Sequence, residues 1–167
     1  MKSKVARKAA RKQISEKVIR NKRARFDYEL GDSFVVGIAL NGRETKSLRL
    51  GHGQLLGSYV TVKDNELWLL NATIHGTNGI PIDETEQTRT RKLLAKRREI
   101  DLIISAKNQG LTIVPTEILT KGRFIKLRIA LGKGRRQYDK RQVLKKRTAQ
   151  TEAKREIKHS TDSYLRR

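Results

Sequence analysis

The chain contains no cysteine, only two prolines and a single tryptophan in 167 residues. Without cysteine there is no disulfide framework, no thiol nucleophile and no cysteine-based zinc site, and nothing points to an oxidising compartment. Acidic residues are also scarce: 17 Asp and Glu stand against 39 Lys and Arg, a formal net charge of +22. Such an imbalance excludes an ordinary acidic cytosolic enzyme and favours a polyanionic partner. No apolar stretch reaches the length of a signal-peptide core or the ~20 residues of a membrane span, so a soluble, cytoplasmic chain without a membrane partner is expected. The length itself suits one modest core with appendages and excludes two large domains.

The charge is unevenly placed. Residues 1–25 hold 11 basic and 1 acidic residue, residues 26–132 hold 15 and 12, and residues 133–167 hold 13 and 4. The near-neutral middle is the part that can fold, whereas both ends are basic arms too poor in large apolar groups to bury a core. The run from Lys2 to Arg25 also shares the Arg/Lys-rich, acid-poor composition of organellar transit peptides. The organisation expected is a basic N-terminal arm over 1–20, a folded domain over 21–138 and a basic tail over 139–167. That tail is dominated by Lys, Arg, Glu, Gln and Ala, a composition that is flexible alone and helix-capable once bound.

Within the middle, Phe34, Val36, Ile38 and Leu40 alternate with Val35, Gly37 and Ala39 ahead of Asn41-Gly42, the pattern of a strand closed by a turn. Similar runs span Leu55–Val62, Leu67–Ile74, Leu111–Leu119 and Phe124–Leu131, separated by clusters such as Lys63-Asp64-Asn65 and Lys121-Gly122-Arg123. With an approach segment at Arg25–Leu30 that makes six strands. Between Thr88 and Gln109, Leu93, Leu94, Ile100, Ile103 and Ile104 form a helical stripe that Gly110 stops, and Arg43–Leu50 reads as a shorter helix. The fold expected is mainly β with inserted helices: an OB-like, six-stranded antiparallel barrel, whose closure removes unpaired edges. Trp68, inside the apolar run Leu67–Leu70, is expected to pack that barrel, while Phe26, Tyr28 and Tyr59 are available to stack on bases.

Catalytic chemistry has no visible seat. His52, His75 and His159 lack metal-ligand spacing and nearby carboxylates, and Gly51-His52-Gly53 and Gly132-Lys133-Gly134 lack the spacing of a phosphate-cradling loop. Asp83-Glu84 with Glu86 reads as helix N-terminal charge. No metal or cofactor is expected. Four basic clusters remain: Asn21-Lys22-Arg23 with Arg25, Lys46 with Arg49, Arg89 through Arg98, and Lys133-Gly134-Arg135-Arg136 running into Lys140 and Arg141. Any one would pass as a solvated face; four on one chain point to phosphates. Arginine favours bidentate phosphate contact, so the segment from Arg89 to Arg98 reads as a phosphate site at a helix start. The absence of helix-turn-helix, finger and zipper signatures favours structured RNA over duplex DNA.

These residues are arranged in a familiar order. Asn21-Lys22-Arg23-Ala24-Arg25, Gly37-Ile38-Ala39-Leu40 with Gly42, Glu44 and Lys46-Ser47-Leu48-Arg49, Arg89-Thr90-Arg91-Lys92-Leu93-Leu94, Lys133-Gly134 and Tyr138-Asp139-Lys140-Arg141 together resemble the SmpB (SsrA-binding) family, in register from about Asn21 to Arg147. The resemblance implies an OB-type barrel that binds the tRNA-like domain of transfer-messenger RNA (tmRNA) and delivers it, with elongation factor Tu, to ribosomes stalled on messages lacking a stop codon. It implies no catalysis and a monomer. By position, Asn21, Lys22, Arg23, Glu44, Lys46, Ser47, Arg49, Arg89, Arg91, Lys92, Lys133 and Gly134 fall in the RNA-binding blocks, with Leu93 and Leu94 in the core. Tyr138, Asp139, Lys140 and Arg141 match the junction that meets the decoding centre of the small subunit and its 16S rRNA, where Tyr138 is suited to stacking. Lys145, Arg147, Lys154 and Arg155 continue a tail that enters the empty message channel as a helix.

The sequence departs from the family pattern at three places. Val35 stands where a glutamate is usual, Thr85-Glu86-Gln87 replaces a His-x-Pro, and Thr73 replaces a histidine. Two competing classes also fit the composition. A ribosomal structural protein or general RNA chaperone would bind many RNAs about equally, with steep salt dependence, and an RNA-processing enzyme would need an acid-base or metal constellation.

Overall fold

The alternation through Phe34, Val36 and Ile38 produces the strand it predicts, extended at its N-terminal end. The computed structural model describes residues 18–136 together with Thr148, Glu152 and Ile157. In chain order its elements are β1 (Ile19–Arg20), α1 (Ala24–Asp27), β2 (Tyr28–Ile38), α2 (Gly42–Leu50), β3 (Gly53–Gln54), β4 (Tyr59–Lys63) and β5 (Glu66–Leu70). They continue with β6 (Thr73–Ile74), α3 (Glu84–Gln87), β7 (Arg91–Leu94), α4 (Arg97–Asn108), β8 (Thr112–Leu119) and β9 (Lys126–Gly134). The expected residues Tyr138, Asp139, Lys140, Arg141, Lys145, Arg147, Lys154 and Arg155 lie outside the described residues, as does the arm up to Lys17.

Seven strands form one antiparallel sheet in the order β1-β8-β9-β2-β7-β5-β4, and β3 pairs with β6 in a small second sheet. The six-stranded count is therefore corrected to nine among the described residues. Three of the strands are two residues long, too short to show a period, and Asn71, at φ 55°, divides the run Leu67–Ile74 into β5 and β6. No ladder joins the outermost strands β1 and β4, although the sheet curls enough to bring β4 close to β8. The β4–β5 hairpin turns on Asp64 and Asn65, both with positive φ, which gives the tight two-residue connection suited to twisted strands.

The inserted segment Thr88–Gln109 divides in two. Arg91–Leu94 is strand β7, paired with β2 and β5, and the helix begins only at Arg97. Adjacent Leu93 and Leu94 fit a helical stripe and a strand equally well in sequence. In the sheet they point to opposite faces, so Leu93 is buried and Leu94 is 56% exposed. Placing Leu94 in the core is corrected accordingly. Gly110 stops α4 with φ 84° as expected, and Asn41-Gly42 starts α2 instead of closing β2.

The core is one apolar cluster in which Val36, Leu67, Leu69, Leu93, Leu127 and Ile129 from the sheet meet Leu48 of α2 and Ile103 of α4. Burying each such side chain contributes about 1.5–3 kcal/mol. Trp68 is not among them. It lies half-buried on the opposite face of β5 from Leu67 and Leu69, with the Lys92 Nζ 6.0 Å from its ring.

Candidate nucleic-acid interface

Glu44 organises one side of the molecule from inside it. Asn41 precedes α2 in extended conformation and its N–H donates to Glu44 Oε2 at 2.8 Å, closing the first turn of the helix. The same carboxylate accepts Arg89 Nε at 2.8 Å, Arg89 Nη2 at 2.6 Å and Arg91 Nε at 2.9 Å. Arg91 is fully buried, and its remaining donors reach the carbonyls of Ala72, Arg89, Glu86 and Gln87. Five donors thus meet five acceptors, which is what makes a buried guanidinium tolerable. Burial pushes the Glu44 carboxyl up, but the Arg89 hydrogen bonds, the Asn41 amide and the Arg91 charge outweigh it and hold the carboxyl below its ordinary value. Burial pulls Arg91 down, whereas its bonds to Glu44 raise Arg89.

This geometry corrects the expected RNA-contacting set. Glu44, Ser47 and Arg91 are buried, so none presents its side chain to a ligand; Ser47 Oγ donates to the His75 carbonyl. Arg89 commits Nε and Nη2 to Glu44. The phosphate site expected at a helix start near Arg89 is absent there, because Arg89 precedes a strand. At the true start of α4, the Lys96 N–H is already taken by Glu99 Oε2 at 3.0 Å. Lys92 bonds Glu66 on the outer face. Arg49 donates to the carbonyls of Gly122 and Arg123. Lys46 is exposed, beside Asn41, Gly42, Arg43 and Glu86 in a shallow cleft.

The first and last of the four clusters meet. A bulge at Thr116 in β8 turns two carbonyls outward, and Asn21 takes both: its N–H donates to Thr116 at 2.8 Å and its Nδ2 to Pro115 at 3.0 Å. Its Oδ1 accepts the Arg23 N–H at 3.2 Å. Pinned there, the chain turns through α1 into β2, whose Tyr28 and Glu29 pair with Gly134 and Lys133, and the Arg135 N–H donates to the Asp27 carbonyl. The result is a groove of about 770 Å³ lined by Arg20, Lys22, Arg25, Arg128 and Arg135 around one carboxylate, Glu117. Glu117 bridges Arg20 at 3.3 Å and Arg128 at 2.9 Å. Asn21 is thus an anchor, Lys22 a groove cation, and Arg23 an exposed partner of Asp27. Lys133 and Gly134 sit exposed at the groove end of β9. Sequence reasoning misses Arg20 and Arg128; the outward alternation of Lys126 and Arg128 along β9 is the signal that points to the latter.

A second surface has no counterpart among the expectations. On the outer face of the sheet Lys126, Gly37 and Leu94 stand in register across β9, β2 and β7, with Val35 opposite Arg128. Val35 is 43% exposed, and a Cβ on Gly37 would lie 3.3 Å from the Leu94 Cβ. The patch is small, apolar and bordered by cations. Among the described residues no group of three or more His, Asp and Glu is placed to hold a metal, and no helix is long and apolar enough to cross a membrane.

The SmpB protein family model matches residues 18–159, which takes in the groove, the Glu44 cluster and the outer face. The chain belongs to the SmpB family. It is 43% identical over 151 residues to an SsrA-binding protein of Trichormus variabilis, covering 89% of this chain and 97% of that one. It is 42% identical over 141 residues to an SsrA-binding protein of Oleidesulfovibrio alaskensis, covering 84% and 91%, and 39% identical over 140 residues to one of Streptococcus pyogenes, covering 83% and 90%. Among solved structures it is similar to a chain described under "tmRNA-SmpB: a journey to the center of the bacterial ribosome", with TM-score 0.62, 34% identity and coverage of 77% and 94%. Membership of the SmpB family and a mainly β, antiparallel framework therefore rest on both sequence and fold.

Proposed function

We propose that the chain binds the tRNA-like domain of tmRNA and brings it to stalled ribosomes in trans-translation, without catalysing a reaction. The observation that carries this reading is the groove in which Arg20, Lys22, Arg25, Arg128 and Arg135 surround a single carboxylate, because a concave cluster of cations is the electrostatic footprint of a phosphate backbone. The relatives named as SsrA-binding proteins support tmRNA as the RNA. Lys133, with Lys46 and Arg49 around α2, extends the basic surface, while Asn21, Glu44, Ser47, Arg89 and Arg91 serve it by holding the backbone in place. The tail from Tyr138 onward occupies the decoding centre and the empty message channel as a helix. Tyr138, Asp139, Lys140 and Arg141 form its junction, and Lys145, Arg147, Lys154 and Arg155 meet 16S rRNA along the channel. The chain acts as a cytoplasmic monomer, with elongation factor Tu in the delivery complex.

A competition titration tests this at ~0.15 M salt, where loose electrostatic contacts are screened. Labelled tmRNA tRNA-like domain is competed with elongator tRNA and with a generic hairpin. The expected preference for the tRNA-like domain is a hundredfold or more, on the order of 2.7 kcal/mol. Equal binding to all three would overturn the proposal in favour of a general RNA-binding role.

A further inference from the structure

The hairpin joining β8 to β9 ends in Lys121-Gly122-Arg123-Phe124, with Gly122 at φ 87° making the turn. Phe124 is 68% exposed, more than any other aromatic among the described residues. A lone exposed apolar side chain needs no explanation in itself. Three features set this one apart. The hairpin tip is held from another element: Arg49 of α2 donates Nη2 to the carbonyls of Gly122 at 3.3 Å and Arg123 at 3.0 Å. Next, the Arg123 guanidinium stands 5.4 Å from the centre of the Phe124 ring, within cation–π range, and leaves the rest of the ring in solvent. Finally, residues 120–128 contain Lys121, Arg123, Lys126 and Arg128 and no acid.

We infer that Phe124 is a stacking platform for an unpaired RNA base, with Arg123 and Lys126 engaging the phosphates beside it. A flat apolar face held rigidly among cations pays little ordering entropy when a base settles on it, and every base offers such a face. Paired bases cannot reach it, so this tip distinguishes looped from duplex RNA. Phe124 stands just before β9, four residues from Arg128 of the basic groove, and near Lys126 of the Lys126, Gly37 and Leu94 patch. The inference rests on the reading that the chain binds RNA and adds a contact that reading does not assign.

The test uses the full chain and two fluorescein-labelled RNAs of equal phosphate count, a hairpin with an adenosine loop and a fully paired duplex. Phe124→Ala is expected to weaken the looped hairpin about 5- to 150-fold, the range that base stacking confers, and to leave duplex affinity unchanged. Phe124→Trp is expected to keep loop affinity and to show indole emission, above that of Trp68, quenched by the hairpin but not by the duplex. Unchanged loop binding in Phe124→Ala, an equal loss on both RNAs, or unquenched emission in Phe124→Trp would overturn the inference. Failure of the wild-type chain to bind the tRNA-like domain of tmRNA, included as a third RNA, would instead overturn the RNA-binding reading on which it stands.

Discussion

Arg91 commits all five guanidinium donors to Glu44 and four backbone carbonyls, and among the described residues Glu44 is the one buried acid that balances it. Removing one partner of a buried pair leaves an uncompensated charge, so Glu44→Gln is expected to destabilise the fold by about 3–5 kcal/mol, read as a lower urea midpoint. Its pH dependence has a definite sign. Against the upward push of burial, the Glu44 carboxyl is held below its ordinary value by its bonds to Arg89, Asn41 and Arg91, so its contribution is complete above the ordinary value and is lost as pH falls through the depressed folded value. Wild type should therefore lose part of its margin over Glu44→Gln in acid, and a constant margin from pH 7 to pH 3 would contradict it. An Arg-x-Arg motif in a basic chain invites a phosphate assignment, and sequence does not expose the alternative. Two of the five acceptors around Arg91 come from far along the chain: Glu44, 47 positions earlier, and Ala72, 19 positions earlier.

Helix α2 ends at Gly51, whose φ of 90° lets His52 N–H return to the Ser47 carbonyl, and the chain passes at once into β3. A Cβ on Gly53 would meet Leu48 Cδ2 at 2.5 Å and Ile19 Cδ1 at 3.0 Å. Gly53→Ala is thus expected to cost about 1–3 kcal/mol by overpacking, measured by chemical denaturation, while Gly57→Ala, with open space but φ 74°, reports backbone strain alone. The long elements are legible in the sequence. β2 carries a period of two, β8 and β9 are β-rich runs bounded by turn residues, and α2 can be read at nearly its true limits. Where the chain uses very short strands, as at β1, β3 and β6, there is no period to read. β7 hides inside a helical stripe because Leu93 and Leu94 are adjacent and α4 follows within a few residues. The consequence reaches the site: the pattern suggests a helix start at Arg89 where the chain builds a strand.

At the scale of the molecule, the charge is divided between basic ends and a near-neutral middle. The excess charge lies before Phe26 and after Gly132, whereas the buried network and the core lie between. Deleting residues 139–167 is expected to leave affinity for the tRNA-like domain nearly intact and to abolish release of ribosomes stalled on a message without a stop codon, followed by titration and by non-stop translation in vitro. Loss of both activities together would show that the tail is not a separate module. The charge partition and the convergence on RNA are legible because composition survives any error in local structure; the groove is not, since its walls are brought together by pairing between β1, β8, β9 and β2. That pairing has a topological consequence. Arg20 and Arg135 stand at the first and last strands of the described domain, so a polyanion bound between them spans the place where that domain begins and the place where it ends. Occupancy at one hundred times the dissociation constant then stabilises the folded domain against unfolding, first and last strands together, by about 2.7 kcal/mol.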